Sequence, residues 1–261
     1  MIRALWTSAS GMEAQQMNLD VIANNLANVN TTGFKKANVQ FQEMMYDTAE
    51  APGASSTDST TTPTGIQVGY GSKPVATERN FSQGSLQQTG NTYDVAIQGT
   101  GFFKLTMPDG SNAYTRDGSF IVNADGQIVT SQGYLLTGAG QIDPKATNVT
   151  IGSDGTISAV INGTTAKISP ITISNFPNPE GLSSQGSNLY TATDAAGTAV
   201  DGQTPGTNGL GTLAQGYTET SNVQVVEEMV NMIQAQRAYE INSKAIQASD
   251  DMMQMANNMR H

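Results

Sequence analysis

Residues 2–29 read IRALWTSASGMEAQQMNLDVIANNLANV, and within them Leu5, Met12, Leu19 and Leu26 recur every seven positions. Ile2, Ala9, Ile22 and Val29 widen that line into a stripe. A seven-residue apolar repeat is the narrow seam along which one helix packs on another, so the chain begins with a long helix that needs a partner. Asn30, Thr31, Thr32 and Gly33 then stop it with residues that favour turns.

The partner is expected at the opposite end of the chain. Ser221 and Gln224 have the spacing of a capping box, which places a helix start there. Val223, Val226, Val230 and Ile233 follow at helical spacing. After a phase shift near Arg237, the residues Ile241, Ala245, Ala248, Met252, Met255 and Met259 alternate by four and three, which is the pattern of a second seam. Alanine and methionine make that seam shallow and adaptable.

The middle of the chain has a different grammar. Asp109-Gly110, Asp117-Gly118 and Asp125-Gly126 fall eight residues apart, with Asp154-Gly155 later. Between them lie apolar runs such as 102–107, 120–122 and 127–130. Asp-Gly supplies the positive φ that tight hairpins require, so all four are expected as hairpin turns between antiparallel strands. None sits in a calcium loop of the D-x-[DN]-x-[DN]-G type with a later Glu. Residues 47–65 lack periodicity and large apolar side chains and read as a flexible linker, and 193–212 read as a loop or sheet edge. The fold class is therefore α+β, with long terminal helices pairing in a coiled-coil-like inner domain and a mostly antiparallel β middle. The boundaries expected are 1–36 with 216–261, an extended segment 37–69, and a β domain 70–215.

Composition narrows the function. Twelve Lys plus Arg against 22 Asp plus Glu give a net charge of -10, the wrong sign for a nucleic-acid surface. There is no cysteine, which removes thiol catalysis, zinc fingers and iron–sulfur clusters. The one histidine is the last residue, His261, so a Ser-His-Asp triad has no well-placed base. No run approaches the roughly 18 apolar residues of a membrane span, and Glu13 and Asp20 interrupt the place of a secretory signal. Gly69-Tyr70-Gly71, Gly99-Thr100-Gly101 and Gly138-Ala139-Gly140 lack the third glycine and following helix of a dinucleotide loop. No cofactor, no metal and no catalytic residue is expected.

Two long strings carry a family resemblance. Residues 14–29, AQQMNLDVIANNLANV, closing with Thr32-Gly33-Phe34-Lys35, resemble the N-terminal signature of flagellar rod and hook axial proteins. Residues 219–252, with Ser221-Asn222-Val223, Glu227-Glu228-Met229-Val230 and Gln236-Arg237-Ala238-Tyr239-Glu240, resemble their C-terminal signature. Asp94 to Phe103 and Tyr114 to Phe120 are similar to the β region these proteins share.

The resemblance implies a structural subunit rather than an enzyme. It implies export by the flagellar type III apparatus without signal cleavage, assembly into a hollow helical tube lined by the terminal helices, and a place in the periplasm-spanning basal body. The partners so implied are further copies of the chain, other rod proteins, the hook protein and the surrounding outer rings, with no direct membrane insertion. On that reading Leu5, Met12, Leu19, Leu26, Val230, Ile233, Ile241, Ala245, Ala248, Met252 and Met255 serve helix pairing and assembly. Asn24, Asn25, Asn28, Gln236 and Arg237 bond neighbouring subunits, although spacing alone favours their solvation. The length suits rod members better than hook members. Tyr46 to Pro63, with Pro52 and Gly53, resembles a short segment that rod members associated with a straight tube carry after the first helix. The readings held against this one are a different axial protein of similar length and, from another class, a secreted enzyme or glycan-binding β protein with a helical stalk.

Overall fold

The two heptad regions form the long helices α1 (Ile2–Ala27) and α2 (Val225–Asn258). The computed structural model describes residues 2–52, 55–57, 60–61, 63–161 and 163–259, so Gly53 and His261 lie outside the described residues, as does the side chain of Ile2. α1 ends at the turn-forming run, where Gly33 adopts a φ of 67°. α2 continues unbroken through Arg237, where the sequence pattern shifts phase.

The start of α2 differs from the expected capping box. Its N-cap is Gln224, whose carbonyl accepts the Glu228 N–H at 3.0 Å. The Ser221 hydroxyl instead accepts the Val223 N–H at 3.2 Å. It is spent on a turn two residues ahead of itself, and the helix starts after that turn.

The chain divides into two compact units, a helical one of Met1–Leu26, Ala37–Glu78 and Gln224–His261, and a β-rich one of Ala27–Lys36 and Arg79–Val223. Residues 27–36 and 216–223 thus fall in the β-rich unit rather than with the helices, and 37–78 fall with the helices.

In the helical unit, β1 (Ala37–Glu43) pairs with β6 (Ser72–Arg79). β2 (Tyr46–Glu50) runs antiparallel to β5 (Ile66–Gly69), with Tyr46 opposite Gly69 and Asp47 opposite Val68. Between them β3 (Ser55–Thr57) pairs with β4 (Thr60–Thr61). The segment expected to be a flexible linker is a ladder of short antiparallel strands. Ladder bonds are backbone bonds, so a polar stretch rich in threonine pairs without a core of its own.

The β-rich unit is built around β9 (Phe102–Thr106). One edge pairs with β10 (Asn112–Thr115), which leads to β19 (Leu189–Thr191) and β18 (Ser183–Gly186). The other edge pairs with β17 (Ile173–Asn175) near Phe102 and with β13 (Leu135–Leu136) near Leu105. From β13 the sheet runs through β12 (Ile128–Thr130) to β11 (Phe120–Val122), and β20 (Val200–Gln203) extends β17. A second sheet joins β14 (Thr147–Ile151), β15 (Ile157–Ile161) and β16 (Thr164–Ile168). Two returning pairs, β8 (Val95–Gln98) with β21 (Thr212–Gln215) and β7 (Leu86–Gln88) with β22 (Tyr217–Glu219), bind the end of this unit to its beginning. All of these ladders are antiparallel.

Because side chains alternate along a strand, β9 serves two cores. Phe103 and Leu105 join Phe120, Ile128, Ile157 and Ile171 in the larger cluster, and Phe103 meets Phe120 edge to face at 5.1 Å. Phe102 points the other way, to Tyr114, Phe176 and Tyr190. Three of the four Asp-Gly pairs make the expected hairpins, with positive φ at Gly110, Gly126 and Gly155. Asp117-Gly118 does not. A Cβ at Gly118 would lie 1.8 Å from the Val95 carbonyl oxygen, so this glycine lets two backbones approach rather than turning one.

Candidate self-assembly surface

Within the helical unit, α1 and α2 meet with opposite chain directions. A Cβ placed on Gly11 would fall 2.8 Å from the Asn242 amide nitrogen, and Asn25 Nδ2 donates to Glu228 Oε2 at 3.3 Å. On α1, buried Ser8, Ile22 and Asn25 and half-buried Gly11, Gln15 and Asn18 share one line, with buried Ala14 beside it; on α2, buried Glu228, Ala235 and Ser249 and half-buried Asn242 form another. Both lines keep heptad spacing, yet apart from Ile22 they are made of small and polar side chains. Gly11 costs an isolated helix about 1 kcal/mol relative to alanine, and it leaves room for the Asn242 amide against α1.

The other large apolar side chains are elsewhere. Leu5, Met12, Leu19 and Leu26 are half-buried, to one side of the α1 line. On α2, Val230, Ile233, Arg237, Ile241, Ala245, Ala248, Met252 and Met255 are all exposed; at 100° per residue Val230, Ile233 and Arg237 fall nearly opposite Glu228 and Ala235, and the line from Ile241 to Met255 runs to one side of Asn242 and Ser249. Of the expected polar contacts, Asn24, Gln236 and Arg237 are exposed, and Asn28 is half-buried. Asn25 is buried and its amide is used inside the chain: Nδ2 donates to the Ala37 carbonyl at 2.8 Å and Oδ1 accepts the Ala37 N–H at 2.9 Å. Of the straight-tube segment, Tyr46, Pro52 and Pro63 are exposed.

Among the described residues, every large apolar side chain left exposed belongs to the helical unit except Ile121 and Val200. Of its described residues the same unit buries three apolar ones, Ala14, Ile22 and Ala235. An exposed apolar surface of this extent with so little core beneath it marks an interaction face. A groove of about 510 Å³ opens on it, lined by Trp6 and Glu13 of α1 and by Met44, Tyr70, Lys73 and Pro74. Gly71, with a φ of 108°, lets its loop approach α1 closely, since a Cβ there would meet Ser10 Oγ at 2.1 Å.

The β-rich unit holds a feature with no local sequence signal. Lys35 and Glu219, both fully buried, form an ion pair at 2.6 Å, and Lys35 also donates to the Ser82 carbonyl at 2.7 Å. Arg116 approaches Glu219 at 3.2 Å and donates to the carbonyls of Gly101 and Gly99 at 2.7 and 2.9 Å. Gly84 N–H donates to Glu219 Oε1 at 2.8 Å. The Arg79 guanidinium lies 5.7 Å from the Phe34 ring centre and 5.8 Å from that of Tyr190. Burial, outweighing the attraction of Glu219, lowers the Lys35 amine from its ordinary 10.5 to about 8. These contacts pin residues 32–36 against β22 and explain why they fold with the strands.

Three protein families match separate parts of the chain. Residues 5–35 match "Flagella basal body rod protein", residues 96–159 match "Flagellar hook protein FlgE/F/G D1 domain", and residues 214–259 match "Flagellar basal body rod FlgEFG protein C-terminal". Over 97% of the chain it is 52% identical to the flagellar basal-body rod protein FlgG of Buchnera aphidicola subsp. Schizaphis graminum, covering 98% of that protein. FlgG of Borreliella burgdorferi is 51% identical over 100% of the chain and 99% of its own length. FlgF of Caulobacter vibrioides is more distant, at 36% over 98% of the chain and 97% of its own length.

Proposed function

The chain belongs to the flagellar basal-body rod protein family, and from that premise we propose that it is a structural subunit of the distal rod. It self-assembles helically into a drive shaft that passes torque from motor to hook. The terminal helices pair in a coiled-coil-like manner and form the layer through which subunits contact each other. Its other partners are the remaining rod proteins, the hook protein, the surrounding rings and the export apparatus that carries it, without a cleaved signal, to the periplasm-spanning rod. It performs no catalysis.

The observation that carries this reading is the placement of apolar surface. The exposed large apolar side chains gather on the helical unit, while the β-rich unit has its own two cores and almost no exposed apolar patch. A soluble enzyme or glycan-binding protein has no use for an uncovered helical stripe. A subunit whose face fits a different face on the next copy generates an open helix.

The test is polymerisation of purified full-length chain, followed by sedimentation and electron microscopy. Ala245→Glu and Met252→Asp each put a carboxylate on the exposed stripe, where burial without a partner costs about 2 kcal/mol or more. Both are expected to block polymers while leaving the β signal in circular dichroism unchanged. Normal polymers from both variants would refute the assignment of this stripe to assembly.

A further inference from the structure

We propose that the Trp6 groove is the receptor for the exposed α2 stripe of a second copy of this chain, keyed by two charge pairs. The proposal rests on the self-assembly reading and names the two faces that meet.

Three observations carry it. On α1, Trp6, Ala9, Ser10 and Glu13 share one face at spacings of three and four, and that face is opposite the line of Ser8, Gly11, Gln15 and Asn18 turned to α2 of the same chain. The intramolecular pairing therefore leaves the groove open. Its walls are apolar, from Trp6, Met44, Tyr70 and Pro74, and they carry one charge of each sign, Glu13 and Lys73. Trp6, the chain's one tryptophan, is 68% exposed.

The α2 stripe has the complementary design. Ile241, Ala245, Ala248 and Met252 form its apolar line, and Lys244 and Asp251 flank that line on one side. Those two charges are seven residues apart, about 10.5 Å along a helix. Glu13, Lys73, Lys244 and Asp251 have no ion pair or side-chain hydrogen bond within the chain among the described residues. The signs permit one matching of the two faces: Glu13 with Lys244 of a second copy, and Lys73 with Asp251 of that copy. Alanines in the middle let the helix approach closely, and Ile241 and Met252 enter the groove. A groove on one element filled by a stripe on another is a heterologous contact, which propagates instead of closing on itself.

Charge reversal tests the matching. Glu13→Lys and Lys244→Glu, made singly, are each expected to raise the concentration needed for polymerisation by roughly tenfold or more, because like charges then face each other. The double variant restores it towards the wild-type value, as does Lys73→Glu combined with Asp251→Lys. Trp6 emission shifts to the blue and becomes protected from iodide on polymerisation in the wild type and in the double variants. Single variants that polymerise as wild type, or doubles that are not rescued, overturn the matching while leaving self-assembly intact. Trp6 already protected in dilute monomer would mean that the chain's own ends fill the groove, which also overturns it. A wild-type chain that never polymerises overturns the assembly reading and the groove assignment together.

Discussion

The buried charges around Glu219 make an asymmetric demand on stability, which two substitutions expose. The cluster holds two buried cations, Lys35 and Arg116, and one buried anion. Glu219→Gln keeps the shape and an acceptor for Gly84 N–H, but leaves the two cations without a counter-charge. Removing one partner from a buried ion pair costs about 3–5 kcal/mol. Lys35→Met is different. Arg116 and Glu219 are left one to one, Glu219 Oε1 keeps the Gly84 N–H at 2.8 Å, and the Ser82 carbonyl keeps the Asn222 amide at 3.2 Å. No acceptor is orphaned. The two lost hydrogen bonds are offset by relief of a charge whose depressed value, about 8 against 10.5, corresponds to about 3 kcal/mol of unfavourable burial. Lys35→Met is therefore expected to change stability by about 1 kcal/mol or less. The assay is urea unfolding of the full-length monomer, followed by the β signal in circular dichroism. With a slope of roughly 2 kcal/mol per molar, Glu219→Gln lowers the midpoint by about 2 M and Lys35→Met by less than about 0.5 M. Equal losses, or a larger loss for Lys35→Met, would show that packing and hydrogen bonds set the energetics of the cluster and that the charge count does not.

The same lysine gives a pH dependence with a definite sign. Its folded value is below its unfolded one, so between pH 8 and 10.5 unfolding takes up a proton and stability rises with pH. Tyr114 works the other way: burial and the Asp201 carboxylate raise it to about 12, so its contribution is lost as pH climbs above the ordinary tyrosine value of 10.0. Between pH 8 and 10, wild type should gain about 2 kcal/mol relative to Lys35→Met, and parallel curves for the two proteins would refute the burial argument. Gly118→Ala is expected to cost about 3 kcal/mol or more by thermal unfolding, because its methyl must displace the Val95 carbonyl. A cost under about 1 kcal/mol would return Asp117-Gly118 to the status of an ordinary turn.

Periodicity and turn chemistry made the outline of this fold readable. The helices followed from Leu5 to Leu26 and from Ile241 to Met259, and the hairpins from Asp109, Asp125 and Asp154. Hydrophobic periodicity also found the exposed α2 stripe. It could not find the approach of Gly11 to Asn242 or of Asn25 to Glu228, because small and polar residues carry no apolar signal. Their own heptad spacing was the available clue. Asp117-Gly118 was misread because one dipeptide serves both a turn and a close backbone approach. The strands between Tyr46 and Gly69 were hidden by a composition that resembles a linker, since backbone pairing leaves little trace in side chains. Lys35 and Glu219 are 184 residues apart, and only folding brings them together.

The scarcity of core beneath the helical unit has a kinetic side. A lone subunit has Ala14, Ile22 and Ala235 to offset the ordering of two long helices, which is little. Two subunits that collide cover only part of each other's stripe, so the first small clusters dissolve faster than they grow. A subunit reaching the end of an existing polymer meets several neighbours at once and is retained. Elongation is thereby separated from initiation by a threshold cluster size. On this reading a supersaturated solution of this chain polymerises only after a lag that a seed removes, so the place where a shaft begins is set by the seed.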